Sequence, residues 1–354
     1  MDLAKKNLSI LHIDTGLDWR GGQRQVLTLH SLLLENGIIS TLVCNKNGRL
    51  YALAKERKVP GIIGLNYKSQ FSYKCHKAIH KIYEEMNYEI IHCHDSHSVS
   101  LVRFLRKPVK FHTRRVSYPI NYFSIFLKYS AIDVHIGVSN EIRNYLAKFF
   151  KNSFAVHSCI DKSRFKKREY DSMFDPKQTN ILFVGAFTPQ KGIEILIPAF
   201  QELTHSYSDI HLHMVGEGEL IDWAKKEVKI AELTKYVTFY GQRNEVEKFY
   251  LSSDIVICPS VSGEGSSGVI KEALAAGKII VASNLNCNME IIQDGVNGLL
   301  FETNNLQSLV DTLKRIIDNK IIINSNQIKK TTREFSCEKM ASAYIEIYNK
   351  YRKD

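Results

Sequence analysis

Short apolar runs alternate along this chain with longer stretches whose apolar residues recur every three or four positions. In the first half, residues 8–13, 39–44, 61–65, 90–94, 109–112 and 134–138 are rich in β-branched side chains and bounded by Gly, Asn or Pro, the pattern of buried strands. Residues 23–36 have helical periodicity instead: Val26, Leu27, Leu29, Leu33 and Leu34 form one face, and Gly37 supplies a stop. Residues 73–86, 98–106 and 141–150 read the same way. The alternation starts again in the second half, with strands expected at 181–184, 212–215, 237–240, 255–258 and 279–283. Helices are expected between them at 193–203, 220–233, 245–251 and 269–276. Such alternation predicts an α/β fold of two Rossmann-like, doubly wound parallel sheets covered by helices on both faces.

Residues 161–179 break the pattern. They are charged, contain Asp175-Pro176 and lack an apolar period, so they read as a linker. The expected organisation is a first domain over 1–160, this linker, a second domain over 180–335 and a terminal segment over 336–354. Within that last segment, Met340, Tyr344, Ile347 and Tyr348 share one side of a helix expected over 337–351.

Composition narrows the classes. A chain of 354 residues with 44% apolar content is ample for two cored domains. No apolar run reaches the ~18 residues that a membrane helix needs. Residues 1–7 are polar and are not followed by an apolar region with a small-residue cleavage site, so export is not expected. Seven widely spaced cysteines without a Cys-x-x-Cys pair argue for reduced thiols in a cytosol, and against zinc or a disulfide framework. Charge is lopsided: residues 1–177 carry 29 basic and 15 acidic side chains, a net +14, and residues 178–354 carry 19 and 22, a net −3. That one-sided excess suits an anionic membrane surface or a phosphorylated glycolipid. No basic helix, zinc-finger spacing or aromatic-basic strand motif marks a nucleic-acid reader.

The densest chemistry lies between residues 263 and 277, Gly-Glu-Gly-Ser-Ser-Gly-Val-Ile-Lys-Glu-Ala-Leu-Ala-Ala-Gly. Gly265, Ser266, Ser267 and Gly268 suit a turn with bare backbone N–H groups, and the alanine-rich run after them suits a helix starting near Ser267. A helix start is a ready anion site. Glu264 would then lie in the loop beside the anion, and Glu272 about a turn and a half inside the helix. A carboxylate accepts two hydroxyl protons at once, so an anion between two such groups describes a nucleotide-sugar. Two unrelated surface glutamates around a helix cap would give the same bare spacing. Pro259-Ser260 before it and Ala275-Ala276-Gly277 after it single the stretch out: residues 258–282 resemble the signature of retaining glycosyltransferases of family 4, the group 1 type, which have the GT-B fold.

The resemblance runs over nearly the whole chain and is strongest from Asn180 to Glu302. It implies two Rossmann-like domains with a cleft between them and a C-terminal helix crossing back to the first domain. Glu272 would hold the ribose hydroxyls and Glu264 the donor-sugar hydroxyls, with the backbone of Gly265 to Gly268 on the phosphates. No cofactor is implied beyond the nucleotide-diphospho-sugar as co-substrate, and no metal, since the chain has no Asp-x-Asp. Retention in such enzymes is generally ascribed to same-face attack with a leaving-group oxygen as base, so no protein nucleophile is required.

Other motifs take meaning from the same resemblance. Gly21 and Gly22, after the first strand, match the family's glycine loop, which faces the donor diphosphate; Gln23-Arg24 departs from the acidic or small residue usual there. Lys191-Gly192 follows the strand at 181–184 and Gly185. A lysine at a helix start is ordinarily a solvated charge, but here it matches the family's cation for the departing diphosphate. Ala186 stands where that family usually has arginine, and Arg243 is a candidate replacement. His112 matches a histidine that contacts the donor sugar, although a histidine at a strand end is also a common structural hydrogen-bonder. Arg114 and Arg115 are planar donors suited to phosphate or carboxylate on an acceptor. His92, His94, Asp95 and His97 resemble a metal site by spacing alone; the family has a similar His-x-His without metal.

Tyr118, Tyr122, Phe123, Phe126 and Tyr129 follow the basic stretch 103–115, either as a core helix face or as an interfacial helix with its aromatics in lipid. The expected function is transfer of a sugar, with retention, from a nucleotide-diphospho-sugar to an anionic glycan or lipid-linked acceptor in cell-surface polysaccharide or lipopolysaccharide synthesis. The expected location is cytoplasmic, peripheral at the inner face of the cell membrane. Two other classes share parts of the pattern: a sugar-nucleotide epimerase of the same fold, and a non-catalytic assembly protein binding anionic surfaces, which would leave Glu264, Glu272 and Lys191 idle.

Overall fold

The computed structural model describes residues 8–69, 72–165, 172–319, 321 and 323–352. The expectations for residues 1–7, and the 166–171 part of the expected linker, lie outside the described residues. The chain divides into two compact units, Met1–Cys159 with Cys337–Asp354, and Ile160–Ser336.

The first unit is built on seven strands, β1 (Ser9–Asp14), β2 (Ile39–Asn45), β3 (Ile62–Leu65), β4 (Ile90–Cys93), β5 (Val109–Arg114), β6 (Val134–Gly137) and β7 (Ser153–Ala155). They pair in parallel in the order β3-β2-β1-β4-β5-β6-β7. β1, β4, β5 and β6 are buried along their whole length, as strands covered on both faces must be. The second unit holds β8 (Thr179–Val184), β9 (Ile210–Val215), β10 (Val237–Gly241), β11 (Ile255–Cys258), β12 (Ile279–Ser283) and β13 (Leu299–Phe301), in parallel order β10-β9-β8-β11-β12-β13. Two doubly wound parallel sheets are therefore present, and the strand order reverses beside β1 and β4 in one and beside β8 and β11 in the other.

The expected elements are present with ends shifted by a few residues. The helix expected over 98–106 instead runs Ser96–Val102, because the Asp95 carboxylate caps it by accepting from His97 and Ser98 N–H at 2.8 Å each. The Arg49–Glu56 helix and the three-residue strands β7 and β13 add to the expected list; strands that short carry no readable period. Within 161–179, Phe165 and Phe174 are buried in the second unit's core. The Cys337–Tyr351 helix packs on the Gly21–Glu35 helix of the first unit through Met340, Tyr344, Ile347 and Tyr348, all buried with Leu29 and Leu33.

Candidate functional site

In doubly wound sheets, ligands bind beyond the carboxyl ends of the strands where the order reverses. In the second unit those ends are Gly185, after β8, and Pro259-Ser260, after β11. Two glycines make the ends converge. Gly216 has φ +140°, and a Cβ there would meet the Gly185 carbonyl oxygen at 1.8 Å. Gly192 has φ +68°, and a Cβ there would meet the Pro259 carbonyl oxygen at 2.0 Å. Any larger side chain at Gly192 would push the Lys191 turn off the β11 loop. Val261 N–H donates to Gln190 O at 2.8 Å across the same approach.

The result is a short-range cluster. Lys191 Nζ donates to Glu264 Oε1 at 2.5 Å, and Ser260 Oγ donates to the same oxygen at 2.7 Å. Both bonds fall on Oε1, so Oε2 retains its lone pairs for another hydroxyl. Ser283 donates to Ser260 O, and Asn288 Nδ2 donates to Ser283 O at 3.0 Å, which fixes the Ser260 loop from behind. The helix after the glycine-serine turn runs Gly268–Ala276 with Ser267 as N-cap. The Ser267 hydroxyl makes no capping bond and lies 3.5 Å from Cys258 Sγ instead. A Cβ on Gly268 would meet nothing within 4 Å, so open space fronts the helix start. An uncapped N-terminus facing open space is where an anion is held by backbone N–H groups.

Glu272, inside that helix and nearly buried, has both oxygens engaged. Oε1 accepts from Arg164 Nη1 at 3.2 Å and Oε2 from the fully buried Tyr250 hydroxyl at 2.9 Å. Arg164 also donates from Nε to Glu247 Oε1 at 2.5 Å. Burial works against the Arg164 charge, but Glu272 and Glu247 outweigh it and hold its pKa above the ordinary value. Burial, reinforced by the Glu272 carboxylate, pushes the Tyr250 hydroxyl well up, so it stays a donor. Lys271 is buried too, with Nζ bonded to Ser266 Oγ and 5.0 Å from the Phe335 ring centre. Arg164, Tyr250 and Lys271 were not singled out from sequence; Arg164 lies 108 positions from Glu272, and no local spacing links the two. Arg243 stands exposed beyond β10.

In the first unit, the ends of β1, β4 and β5 bring together Asp14, His94, Asp95 and Arg115. Asp14 Oδ1 accepts from Gly16 N–H at 3.0 Å and from Gln23 Nε2 at 3.4 Å. Burial first, and then the Asp95 carboxylate, raise the Asp14 pKa from 3.8 to about 6. Gly21 and Gly22 open the Gly21–Glu35 helix, and a Cβ on Gly22 would lie 3.2 Å from Arg115 Cδ. Arg115 Nη2 lies 3.3 Å from His94 Nδ1.

Arg114 is placed differently: it is buried, bonded to the Tyr118 carbonyl, and its guanidinium carbon lies 5.8 Å from the Tyr145 ring centre. His112 is buried within β5 beside Tyr129 and His135, and desolvation followed by the His135 charge pushes its pKa well below the ordinary value. His12, His92 and His94 offer ring nitrogens within 4.8 Å of one another. However, both His92 nitrogens are engaged, Nδ1 with Tyr348 Oη at 2.6 Å and Nε2 with Thr113 Oγ1 at 2.7 Å. His92 thereby ties the terminal helix to the sheet. The aromatics of this stretch divide: Tyr129 is buried, whereas Tyr122, Phe123 and Phe126 are each more than 70% exposed and Ile125 alone is buried within the Tyr122–Leu127 helix. Lys110, within the basic stretch, is turned inward and donates to Leu105 O at 2.9 Å. A cavity of about 340 Å³ lined by Phe126, Ile132, His135, Phe149 and Phe150 lies at the amino ends of β6 and β7, the opposite edge from the groups above.

Comparison with known proteins relates the chain to glycosyltransferases. Residues 19–164 match the profile described as Glycosyltransferase Family 4, and residues 165–335 match Glycosyl transferases group 1. An uncharacterized glycosyltransferase from Methanocaldococcus jannaschii is 30% identical over 63% of this chain and 62% of its own length, so the chain spans less than two thirds of that relative. A phosphatidyl-myo-inositol mannosyltransferase from Mycobacterium leprae is 23% identical over 77% of this chain and 76% of its own. Among solved structures, an Anabaena protein in complex with UDP and glucose superimposes with a TM-score of 0.83 at 15% identity, covering 97% of this chain and 100% of that one.

Proposed function

The chain belongs to the group 1 glycosyltransferases of family 4, with the GT-B fold, and we propose that it moves a sugar, with retention, from a nucleotide-diphospho-sugar to an anionic glycan or lipid-linked acceptor. The observation that carries this reading is the Lys191–Glu264 pair set before the uncapped start of the Gly268–Ala276 helix. In this reading Gly265, Ser266, Ser267 and Gly268 cradle the diphosphate with backbone N–H groups, and Gly185 lets it approach the end of β8. Glu264 Oε2 accepts a sugar hydroxyl, and Glu272, its carboxylate oriented by Arg164 and Tyr250, holds the ribose hydroxyls. Lys191 stabilises the diphosphate as its charge grows on departure. Ala186 supplies no second cation, and Arg243, exposed beyond β10, is the candidate for that part. Gly21 and Gly22, at a helix start, present backbone to a diphosphate. Arg115 and Arg114 recognise the acceptor's negative charge, Arg114 after exchanging the Tyr118 carbonyl for it, and His112 positions the transferred sugar.

We also place the chain at the cytoplasmic face of a membrane. Tyr122, Phe123, Phe126 and Leu127 form an exposed apolar face six residues long, and Arg103, Arg106 and Lys107 are exposed just before it. Among the described residues no helix is long and apolar enough to cross a membrane. A lipid-linked acceptor is favoured by the similarity to a phosphatidyl-myo-inositol mannosyltransferase.

The test is turnover of a panel of nucleotide-diphospho-sugars, with and without glycolipid in phosphatidylglycerol vesicles. Sugar transfer to lipid from one donor, with the chain sedimenting on anionic but not neutral vesicles, is the expected result. Conversion of donor to a stereoisomer without acceptor would make it an epimerase, and no turnover of any donor would remove the enzymatic reading.

A further inference from the structure

Two thiols stand where the chain leaves the first unit and where it returns. Cys159 ends the leading segment of that unit, and Cys337 begins the returning one. Their Sγ atoms lie 3.0 Å apart, although the residues are 178 positions apart in sequence. Closing to a disulfide of ~2.05 Å asks for about 1 Å of movement. Cys159 is held rigidly for this. Gln25 Nε2 donates to Cys159 O at 2.8 Å, and Cys159 N–H donates to Gln25 Oε1 at 2.9 Å, so one side chain clamps both backbone groups. One residue on, Ile160 N–H donates to Phe335 O at 2.8 Å, which keeps the outgoing and returning segments side by side. Cys337 is half-buried and opens the 15-residue Cys337–Tyr351 helix, whereas Cys159 is buried.

We propose that Cys159 and Cys337 are a redox modification site, closed to a disulfide by a peroxide. The more accessible Cys337 sulfur attacks a peroxide oxygen, the O–O bond breaks, and hydroxide leaves to give a sulfenic acid. The Cys159 thiol then attacks the Cys337 sulfur, the S–S bond forms, and water leaves. Two thiols lose two electrons and two protons in all, and hydrogen peroxide becomes two waters. The linkage turns residues 160–336 into one covalently closed loop. The remaining thiols, Cys44, Cys75, Cys93, Cys258 and Cys287, are all buried, and burial marks inert cysteines.

The experiment treats the purified full chain with hydrogen peroxide, alkylates the remaining thiols after denaturation, and maps the peptides by mass. The expected result is one cross-linked pair, Cys159 with Cys337, with the other five alkylated and full reversal by dithiothreitol. Oxidised chain nicked by trypsin within 160–336 should run as one species on a non-reducing gel and as fragments after reduction. Closing so long a loop should also raise the thermal midpoint by about 5 °C. Cys159→Ser should leave Cys337 trappable by dimedone as a sulfenic acid, and Cys337→Ser should show neither product. Alkylation of both Cys159 and Cys337 after peroxide, or a cross-link to any other cysteine, overturns the proposal. The wild-type peptide map decides this even if a variant does not fold.

Discussion

Replacing Glu272 tests the donor site most directly, because its two oxygens separate a ligand role from a packing role. Oε1 accepts from Arg164 and Oε2 from Tyr250. A ribose bonded to this carboxylate makes charge-assisted hydrogen bonds worth about 1.5–3 kcal/mol. At 1.4 kcal/mol per decade, Glu272→Ala should weaken a nucleoside diphosphate by roughly 10- to 150-fold. The same change strands the buried Tyr250 hydroxyl, which costs about 1–3 kcal/mol of stability. Arg164 keeps Glu247, so its charge is not left alone. Glu272→Gln is the companion variant: its amide oxygen still accepts from Tyr250, its charge is gone, and its affinity should fall between the two. Tyr250→Phe completes the set, lowering the thermal midpoint while leaving the carboxylate for the ligand. Calorimetric titration with nucleoside diphosphates, UDP first, gives the dissociation constants, and thermal scans report folding. Wild-type affinity in folded Glu272→Ala and Glu272→Gln would refute the ribose role and leave Glu272 as an anchor for Arg164 and Tyr250.

The other predictions concern charge. Lys191→Ala should lower kcat about 100-fold while changing donor affinity less, since the diphosphate charge grows in the transition state; an intact kcat with a raised KM would confine Lys191 to ground-state binding. Asp14 binds its proton more tightly folded than unfolded, so its contribution to stability falls as pH rises from about 4 to 6 and is flat above. Asp14→Asn removes that loss and should gain about 1–3 kcal/mol above pH 6 but little below pH 4, the upper figure being two pKa units at 1.36 kcal/mol each, discounted for coupling to Asp95. Thermal midpoints measured from pH 4 to 8 check this, and parallel curves for the two proteins would contradict it.

Much of this protein was determined by sequence alone, because parallel strands buried on both faces leave near-continuous apolar runs, and helices leave a period that Gly37 and Gly277 punctuate. Local order at the glycine-serine loop was legible as well. Gly265 to Gly268 and the alanines after them are neighbours in the chain, so a turn feeding a helix start needs no distant partner. The Tyr118–Tyr129 aromatics were ambiguous, since periodicity shows that a helix has a face but not what covers it; only the fold leaves Tyr122, Phe123 and Phe126 to solvent.

Tertiary structure alone decided the partners. Lys191 meets Glu264 because Gly192 lets its turn close on Pro259, and Arg164 reaches Glu272 because Phe165 is drawn into the second unit's core. Arg114 and Arg115 are adjacent in sequence yet point to opposite faces, as side chains at a strand end must, so one packs on Tyr145 and the other faces Gly22. Cys159 and Cys337 carry no motif. Their proximity comes from a chain that leaves one unit and re-enters it beside its own exit, a closure of 178 residues that no local period encodes.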